Sequence, residues 1–153
     1  MKLGVISDTH GWLDPKIPGR FAGVEHILHA GDIGSEAVTA ELETVAPVTA
    51  VLGNTDTSPT FRLTETVALG GRKFLVHHIV NPRALTEELR LRLARERPDA
   101  VVFGHTHRAI AETIDGVLFL NPGYAGRSKP GLERSAAILH CEASGMRVEF
   151  LQL

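Results

Sequence analysis

The sequence predicts an α/β fold, and three of its features carry that prediction. Apolar runs such as residues 3–6 and 101–103 are short and almost uninterrupted, which is typical of strands buried on both faces. A helical spacing of apolar residues separates some of these runs, and Gly-Gly or Asp-Gly pairs join others as hairpins. With 153 residues and no repeat or linker, the chain is expected to form one domain over residues 1–153.

The composition limits the partners and the compartment that can be expected. The residues are 43% hydrophobic and 22% charged, and the formal net charge of −2 offers no basic field for nucleic acid or a membrane surface. Cys141 is the only cysteine, so an intrachain disulfide is excluded and a reducing compartment is favoured. Because Asp8 interrupts the first apolar run, no signal peptide is expected, and we predict a cytoplasmic location.

The first third of the chain is predicted to alternate strands with helical or irregular segments. Residues 13–23 contain two prolines and two glycines, so a loop or a short, broken helix is expected there. A second strand is predicted over 24–30. Ser35 is a suitable N-cap for a helix whose apolar residues recur on one face until Pro47 ends it. A third strand is predicted over 48–52.

The rest of the chain is predicted to contain three pairs of strands, one further strand and one more helix. Asn81 and Pro82 combine a cap residue with a proline suited to a first turn, so we expect that helix to begin there. Gly70 and Gly71, and likewise Asp115 and Gly116, mark the turns of two hairpins. The predicted strands are 64–69, 72–76, a run ending before Gly104, 109–114, 117–120, 134–141 and 146–152.

Five of the predicted strands end in side chains that can bind a metal ion. In open α/β sheets, ligands bind in the crevice at the carboxyl ends of the strands. These side chains therefore converge if the five strands share one sheet. In chain order they are Asp8 and His10, then Asp32, then Asn54, then His77 or His78, and finally His105 and His107.

The candidate ligands combine carboxylates, imidazoles and one amide, without a thiolate. This combination suits Mn²⁺, Fe, Zn²⁺, Ni²⁺ or Co²⁺ better than Ca²⁺ or Mg²⁺ alone. Seven side chains are too many for one catalytic ion that keeps an open position, but they suit two ions that share a carboxylate. The glycines that precede Asp32, Asn54 and His105 would allow tight turns and close approach of the backbone.

The same residues form an ordered set of motifs that resembles a known family. The motifs are Asp8-x-His10, Gly31-Asp32, Gly53-Asn54-x-Asp56, a histidine after a strand, and Gly104-His105-x-His107. This set resembles the calcineurin-like metallophosphoesterase superfamily. The small size and the Asn121-Pro122-Gly123 segment make the chain most similar to the small YfcE-type phosphodiesterases. The resemblance spans residues 2–123 and implies a four-layer α-β-β-α sandwich with mixed sheets and a two-metal site at one end.

The resemblance also implies a role for each candidate ligand, with Asp32 bridging the two ions. His77 is expected as a ligand because the family's histidine directly follows the strand, whereas His78 faces the other way and could reach the substrate. Asp32, Asn54 and His78 are the expected catalytic residues. The implied ligands are Asp8, His10, Asp32 and His107 for one ion, and Asp32, Asn54, His77 and His105 for the other.

The implied reaction is hydrolysis of a small phosphodiester by a hydroxide held between two divalent transition-metal ions, with Mn²⁺ foremost. Thr55 departs from the family pattern, in which many members carry a histidine that can protonate the leaving group.

Asp56 is expected to hold its loop or to orient His10, and Tyr124 is expected to line the pocket or to pack beside it. Association of identical subunits is left open.

Several residues have a less specific reading. His26, His29 and His140 are expected to be structural or exposed. Arg108, Arg127 and Lys129 could meet a phosphate or could belong to solvated surface.

The alternative function is a non-catalytic protein-binding scaffold of the Vps29 type. Missing metal ligands would favour this alternative, but His10 is present here.

Overall fold

Two five-stranded sheets form the centre of the computed structural model, which describes residues 1–153. The elements in chain order are β1 (Lys2–Ile6), α1 (Ile17–Arg20), β2 (His26–His29), α2 (Glu36–Glu43), β3 (Val48–Ala50), β4 (Thr64–Leu69), β5 (Arg72–His77), α3 (Glu87–Glu96), β6 (Ala100–Val102), β7 (Ala109–Ile114), β8 (Val117–Pro122), β9 (Ser135–Glu142) and β10 (Gly145–Gln152). The strand orders are β10-β9-β1-β2-β3 and β4-β5-β6-β8-β7. Both sheets are mixed, since parallel strands at the centre carry antiparallel neighbours.

The hydrophobic core is divided among the interfaces of four layers. One cluster, which includes Phe21 and Leu42, lies between the first sheet and helices α1 and α2. A second, with Val5 and Phe74, fills the space between the two sheets, and a third joins Leu89 of α3 to the second sheet. Helices, sheet, sheet and helix therefore stack in the order that the resemblance implies, and the predicted fold class is confirmed. None of the three helices has the length and apolar character needed to cross a membrane.

The strands that carry the candidate ligands belong to both sheets, so these side chains converge although the five strands do not share one sheet. Strands β1, β2 and β3 run parallel in the first sheet, and β5 and β6 run parallel in the second. Their carboxyl ends meet at one end of the sandwich, where the His105 amide donates a hydrogen bond to Asp8 across the two sheets. The candidate ligands thus converge because two parallel sets of strands point the same way.

Helix α3 begins later than the sequence predicts. Asn81 caps only a turn, in which its side chain accepts a hydrogen bond from the Arg83 amide. Thr86 is the actual N-cap, and its hydroxyl accepts from the Leu89 amide at 3.3 Å. The acidic first turn that follows Thr86 is favoured by the helix dipole, so the second of two possible caps starts the helix.

His29, at the end of β2, ties the β1 and β2 loops together inside the core. Its side chain is fully buried and its Nδ1 accepts a hydrogen bond from the Gly31 amide. We assign the ring proton to Nε2, which donates to the Thr9 hydroxyl, and that hydroxyl donates to the Ile33 carbonyl. Burial lowers the pKa of His29 to about 3, so the imidazole is neutral in the folded protein.

The buried His29 predicts a distinctive loss of stability in weak acid. The unfolded imidazole binds a proton below its ordinary pKa of 6.5, whereas the folded one stays neutral to a pKa of about 3. Between these values the unfolded state binds more protons, so the free energy of unfolding falls by up to about 1.4 kcal/mol per pH unit as the pH decreases.

Urea unfolding between pH 6 and pH 4.5 tests this prediction, with His29→Gln as the comparison. We expect the wild-type free energy of unfolding to decline more steeply with decreasing pH than that of the variant. The difference in slope should correspond to the uptake of nearly one more proton on unfolding. Equal slopes for the two proteins would contradict the role assigned to His29.

Candidate metal centre

Backbone strain is concentrated at the strand ends that carry the candidate ligands. Seven non-glycine residues adopt a positive φ, a conformation that costs L-residues on the order of 1 kcal/mol each. Five of the seven are candidate ligands, so the strain coincides with the predicted site. These five are Asp8, His10, Asp32, His105 and His107, with φ angles between 48° and 71°.

The Asp8 carboxylate is fully buried, and its two oxygens have different surroundings. Oδ2 accepts hydrogen bonds from the Ser7 hydroxyl at 2.6 Å and from the His105 amide at 3.2 Å. Oδ1 is buried without any hydrogen-bond partner. Three imidazole nitrogens surround this oxygen instead, namely Nε2 of His107 at 3.3 Å and Nε2 of His10 and His78 at 3.9 Å each.

Asp32 lies at the centre of the cluster and connects its two sides. Its Oδ1 accepts a hydrogen bond from the Thr55 amide, while its Oδ2 lies 3.8 Å from His10 Nε2 and 3.3 Å from His78 Nε2. Burial raises the pKa of the Asp32 carboxyl, but the Thr55 hydrogen bonds and the imidazoles of His78 and His10 outweigh it and leave this pKa below its usual value. Asp32 is thus a carboxylate whose second oxygen is shared between two histidines.

The His78 side chain completes the cluster in a defined tautomer. Its Nδ1 lies 2.7 Å from the Ala30 carbonyl, which can only accept, so we assign the ring proton to Nδ1. In the neutral imidazole the lone pair of Nε2 then faces two acceptors, Asn54 Oδ1 at 3.1 Å and Asp32 Oδ2 at 3.3 Å. Metal-binding histidines commonly donate their other N–H to a carbonyl in this way. His105 Nδ1 lies 3.1 Å from the same Asn54 oxygen.

The structure places His77 outside the cluster, contrary to the expectation from sequence. His77 is still part of β5, where it is paired with Thr64 of the edge strand β4, and its Nδ1 lies 2.8 Å from the Thr64 hydroxyl. His78 is the first residue beyond the strand and points to the opposite side, into the site. The physical reason is the alternation of side chains along a strand, which brings only one of the two neighbours to Asp32.

Two glycines allow the ligand loops to approach one another closely. A Cβ atom at Gly53 would collide with the backbone nitrogen and the carboxylate of Asp32. A Cβ atom at Gly104 would collide with the hydroxyl of Ser7 and the carboxylate of Asp8. The expected close approach of backbone is therefore observed before Asn54 and before His105, and larger residues would push these ligands away from the carboxylates.

Asp56 holds the loop after β3 and does not orient His10. The Asp56 carboxylate accepts hydrogen bonds from the amides of Gly53, Ile33 and Gly34 at 2.8–3.0 Å. It therefore joins the Asn54 loop to the loop that carries Asp32. Of the two roles expected for Asp56, the structure shows the loop-holding one.

Two further side chains support the site, and sequence reasoning assigned no role to either. The Ser7 hydroxyl fixes Oδ2 of Asp8, and buried Asn121 donates to the Gly104 carbonyl at 2.9 Å and to the Thr106 hydroxyl at 3.1 Å. Asn121 thus holds the loop between His105 and His107. The only sequence signals were that Ser7 directly precedes Asp8 and that Asn121 begins the Asn121-Pro122-Gly123 segment, and the partners of Asn121 lie 15 and 17 residues away in the chain.

Tyr124 packs beside the site instead of lining an open pocket. Its side chain is 1% exposed, and its ring centroid lies 4.8 Å from that of His107 and 6.2 Å from that of His10. Its hydroxyl donates to the Arg127 carbonyl at 2.9 Å. Tyr124 therefore limits the positions that the two imidazoles can adopt.

The arrangement fits divalent cations on chemical grounds. Imidazole nitrogens lie 3.3–3.9 Å from Asp8 Oδ1 and Asp32 Oδ2, and a buried acceptor without a donor, such as Asp8 Oδ1, is costly. A cation between these atoms would satisfy all of them at once. Two sets of donor atoms lie within 4.8 Å of one another, namely Asp8 with His10 and His107, and Asp8 with Asp32 and His78.

Comparisons with known proteins agree with this geometry. A family model described as the calcineurin-like phosphoesterase superfamily domain matches residues 1–144. A probable metallophosphoesterase of Methanothermobacter thermautotrophicus is 38% identical over 80% of this chain and 76% of its own length. Phosphodiesterase MJ0936 of Methanocaldococcus jannaschii is 31% identical over 80% of this chain and 83% of its own.

A solved structure of Vps29 from Entamoeba histolytica shares the fold. It has a TM-score of 0.77 and 22% identity, and covers 100% of this chain and 99% of that one. At this identity the likeness concerns the fold alone. The family model and the identities to relatives confirm the resemblance drawn from the ordered motifs, and with it the prediction of a hydrolase of phosphoric esters. The chain belongs to the calcineurin-like phosphoesterase superfamily.

Proposed function

We propose that the protein is a phosphodiesterase that hydrolyses small phosphodiesters with two divalent metal ions. The observation that carries this proposal is the buried Asp8 oxygen, which has no hydrogen-bond partner and faces three imidazole nitrogens. A relative named phosphodiesterase that is 31% identical supports the substrate class.

The proposed ligand sets follow the contacts between donor atoms. Asp32 bridges, because its free oxygen lies between His10 on one side and His78 on the other. His78 takes the place that the sequence suggested for His77. The first ion would bind Asp8, His10, Asp32 and His107, and the second Asp32, Asn54, His78 and His105.

The protein side chains in this proposal bind and orient, and they supply no strong acid. When bound, two such ions act as Lewis acids toward phosphoryl oxygens and lower the pKa of coordinated water to near neutrality. In the overall reaction, water adds its oxygen to phosphorus, and the P–O bond to the leaving group breaks. Thr55 uses its amide to hold Asp32 and cannot protonate the leaving oxygen as a histidine would. Substrates with good leaving groups, or solvent as the acid, are therefore favoured.

The finer features of the proposal concern the ion and the compartment. We propose Mn²⁺ as the working ion, because a mixture of carboxylate, imidazole and amide ligands suits it. The single, buried Cys141 and the composition favour the cytoplasm. A single domain over residues 1–153 is also part of this proposal.

The alternative is a protein-binding scaffold, motivated by the similarity of fold to Vps29. A complete set of candidate ligands, including His10, weighs against it. Turnover of any phosphodiester by the purified protein, dependent on added metal, would distinguish the enzyme from the scaffold.

Asp32→Asn is expected to abolish activity while leaving the fold intact. The substitution keeps the shape of the side chain but removes the charge that would be shared by two ions. We expect kcat/KM for bis(p-nitrophenyl) phosphate with Mn²⁺ to fall by about 10³-fold or more. Elemental analysis should show about two Mn²⁺ per wild-type chain and fewer in the variant.

The matched control is Asp115→Asn, in the hairpin turn between β7 and β8, where asparagine tolerates the positive φ equally well. This control should retain wild-type activity and metal content. If Asp32→Asn turned over at the wild-type rate, or if wild-type protein bound no transition metal, the proposed function would be wrong.

His77→Ala and His78→Ala are expected to separate the two adjacent histidines. We expect His78→Ala to lower kcat/KM by about 100-fold or more and to weaken Mn²⁺ binding, because it removes a proposed ligand. His77→Ala removes the hydrogen bond with Thr64 but no proposed ligand, so its kcat/KM should stay within about threefold while stability falls by about 1 kcal/mol. The reverse pattern would restore the assignment suggested by the sequence.

A further inference from the structure

A pair of aromatic rings next to the metal centre carries three cationic side chains. Trp12 lies two residues after His10, and the guanidinium carbons of Arg134 and Arg127 lie 5.1 Å and 5.2 Å from its ring centroid. The Lys129 ammonium lies 5.5 Å from the centroid of Tyr124. Because the Tyr124 ring also contacts His10 and His107, Lys129 is positioned beside the first proposed ion, and the Tyr124 hydroxyl holds the backbone of Arg127 on the same side.

The loop that carries the cations, residues 126–132, is fixed by polar contacts. Arg134 donates to the Asp14 carboxylate at 2.7 Å and to the Gly126 carbonyl at 2.6 Å. Tyr124 donates to the Arg127 carbonyl, and the amide of Leu132 closes a turn onto the Lys129 carbonyl. Arg134 is thereby used for structure, and it anchors one end of the loop.

Arg127 and Lys129, the two cationic residues within this loop, do not anchor it with their side chains. Both are exposed, and neither has a carboxylate within 4.0 Å of its cationic nitrogens. Glu133 is the only acidic residue between 124 and 134, and it lines a separate hollow of about 500 Å³ that begins at His107. An anion would therefore meet two cations without carboxylate partners at the Trp12 and Tyr124 end of the loop, whereas in the Glu133 hollow the cation Arg108 shares the lining with a carboxylate.

A second hollow beside the site is lined by acidic side chains and by no basic ones. A hollow of about 380 Å³ begins at Thr55, whose amide holds Asp32, and extends to Phe61. Its lining contains no lysine or arginine, and it includes the carboxylates of Glu36 and Asp56. An anionic group would therefore meet carboxylates and no cation in this hollow, in a chain whose net charge is −2.

We propose that Arg127 and Lys129 form a subsite for a second phosphate group of the substrate. The inference rests on the proposed function and narrows it to phosphodiesters that carry a further phosphate, such as nucleotides with an additional phosphomonoester. Arginine and lysine with free N–H groups bind phosphate by charge-assisted hydrogen bonds.

Two chromogenic substrates with the same reacting group test the subsite. They are the p-nitrophenyl ester of thymidine 5′-phosphate and the same compound with an added 3′-phosphate. We expect wild-type kcat/KM to be about tenfold or more higher for the compound with the added phosphate. In the double variant Arg127→Gln/Lys129→Gln, the ratio of the two kcat/KM values should fall toward one.

The charge-matched control is Arg90→Gln/Arg95→Gln on helix α3, which packs on the outer face of the second sheet. This control should keep the wild-type ratio. A wild-type ratio near one would overturn the subsite, and so would a double variant that keeps the wild-type ratio or loses activity toward both compounds equally.

A binding measurement separates failure of the subsite from failure of the proposed function. Calorimetric titration with thymidine 3′,5′-bisphosphate and with thymidine 5′-phosphate, both with Mn²⁺, requires no turnover. Tighter binding of the bisphosphate by wild type but not by the double variant supports the subsite, even if neither ester is hydrolysed and the phosphodiesterase proposal fails. Equal affinities in wild type would overturn the subsite, whatever the protein hydrolyses.

Discussion

The burial of the Asp8 carboxylate is the constraint on which the rest of the site depends. One of its oxygens is satisfied by Ser7 and the His105 amide, while the other has no donor and faces imidazoles. Leaving a buried acceptor unpaired costs roughly 1–3 kcal/mol, and more when the group is charged. The surrounding positions are also strained, with positive φ at five candidate ligands. Both costs fall at one place in the fold, and the donor set there suits cations.

The two-sheet architecture explains how ligands from distant parts of the chain reach that carboxylate. Each sheet presents the carboxyl ends of parallel strands at the same end of the sandwich, and each contributes donors. Glycines at 53 and 104 let the loops approach without a Cβ between them. Hydrogen bonds then join neighbouring loops through the side chains of His29, Asp56 and Asn121. The ligands are therefore placed by backbone held on several sides, which is what binding two ions side by side requires.

Local signals predicted the strands, the hairpins and the ordered motifs, because these depend on apolar runs and turn residues within a few positions. The identity of the fourth histidine could not be predicted in this way. It depends on whether β5 ends before or after His77, and pairing with Thr64 extends the strand by that one residue. The predicted start of α3 was wrong for a similar reason, since Asn81 and Thr86 are both possible N-caps. The division of the strands between two sheets, and the support that Asn121 gives to the loop after β6, depend on contacts between residues far apart in the chain.

We propose that these side chains hold two cations with Asp32 between them. Anomalous X-ray diffraction from crystals of the protein grown with Mn²⁺ can detect both ions. We expect two peaks about 3.5–4 Å apart, with the Asp32 carboxylate bridging them, His78 Nε2 on one, and His77 still at Thr64. A single peak, a peak coordinated by His77, or no peak at the Asp8 carboxylate would contradict it.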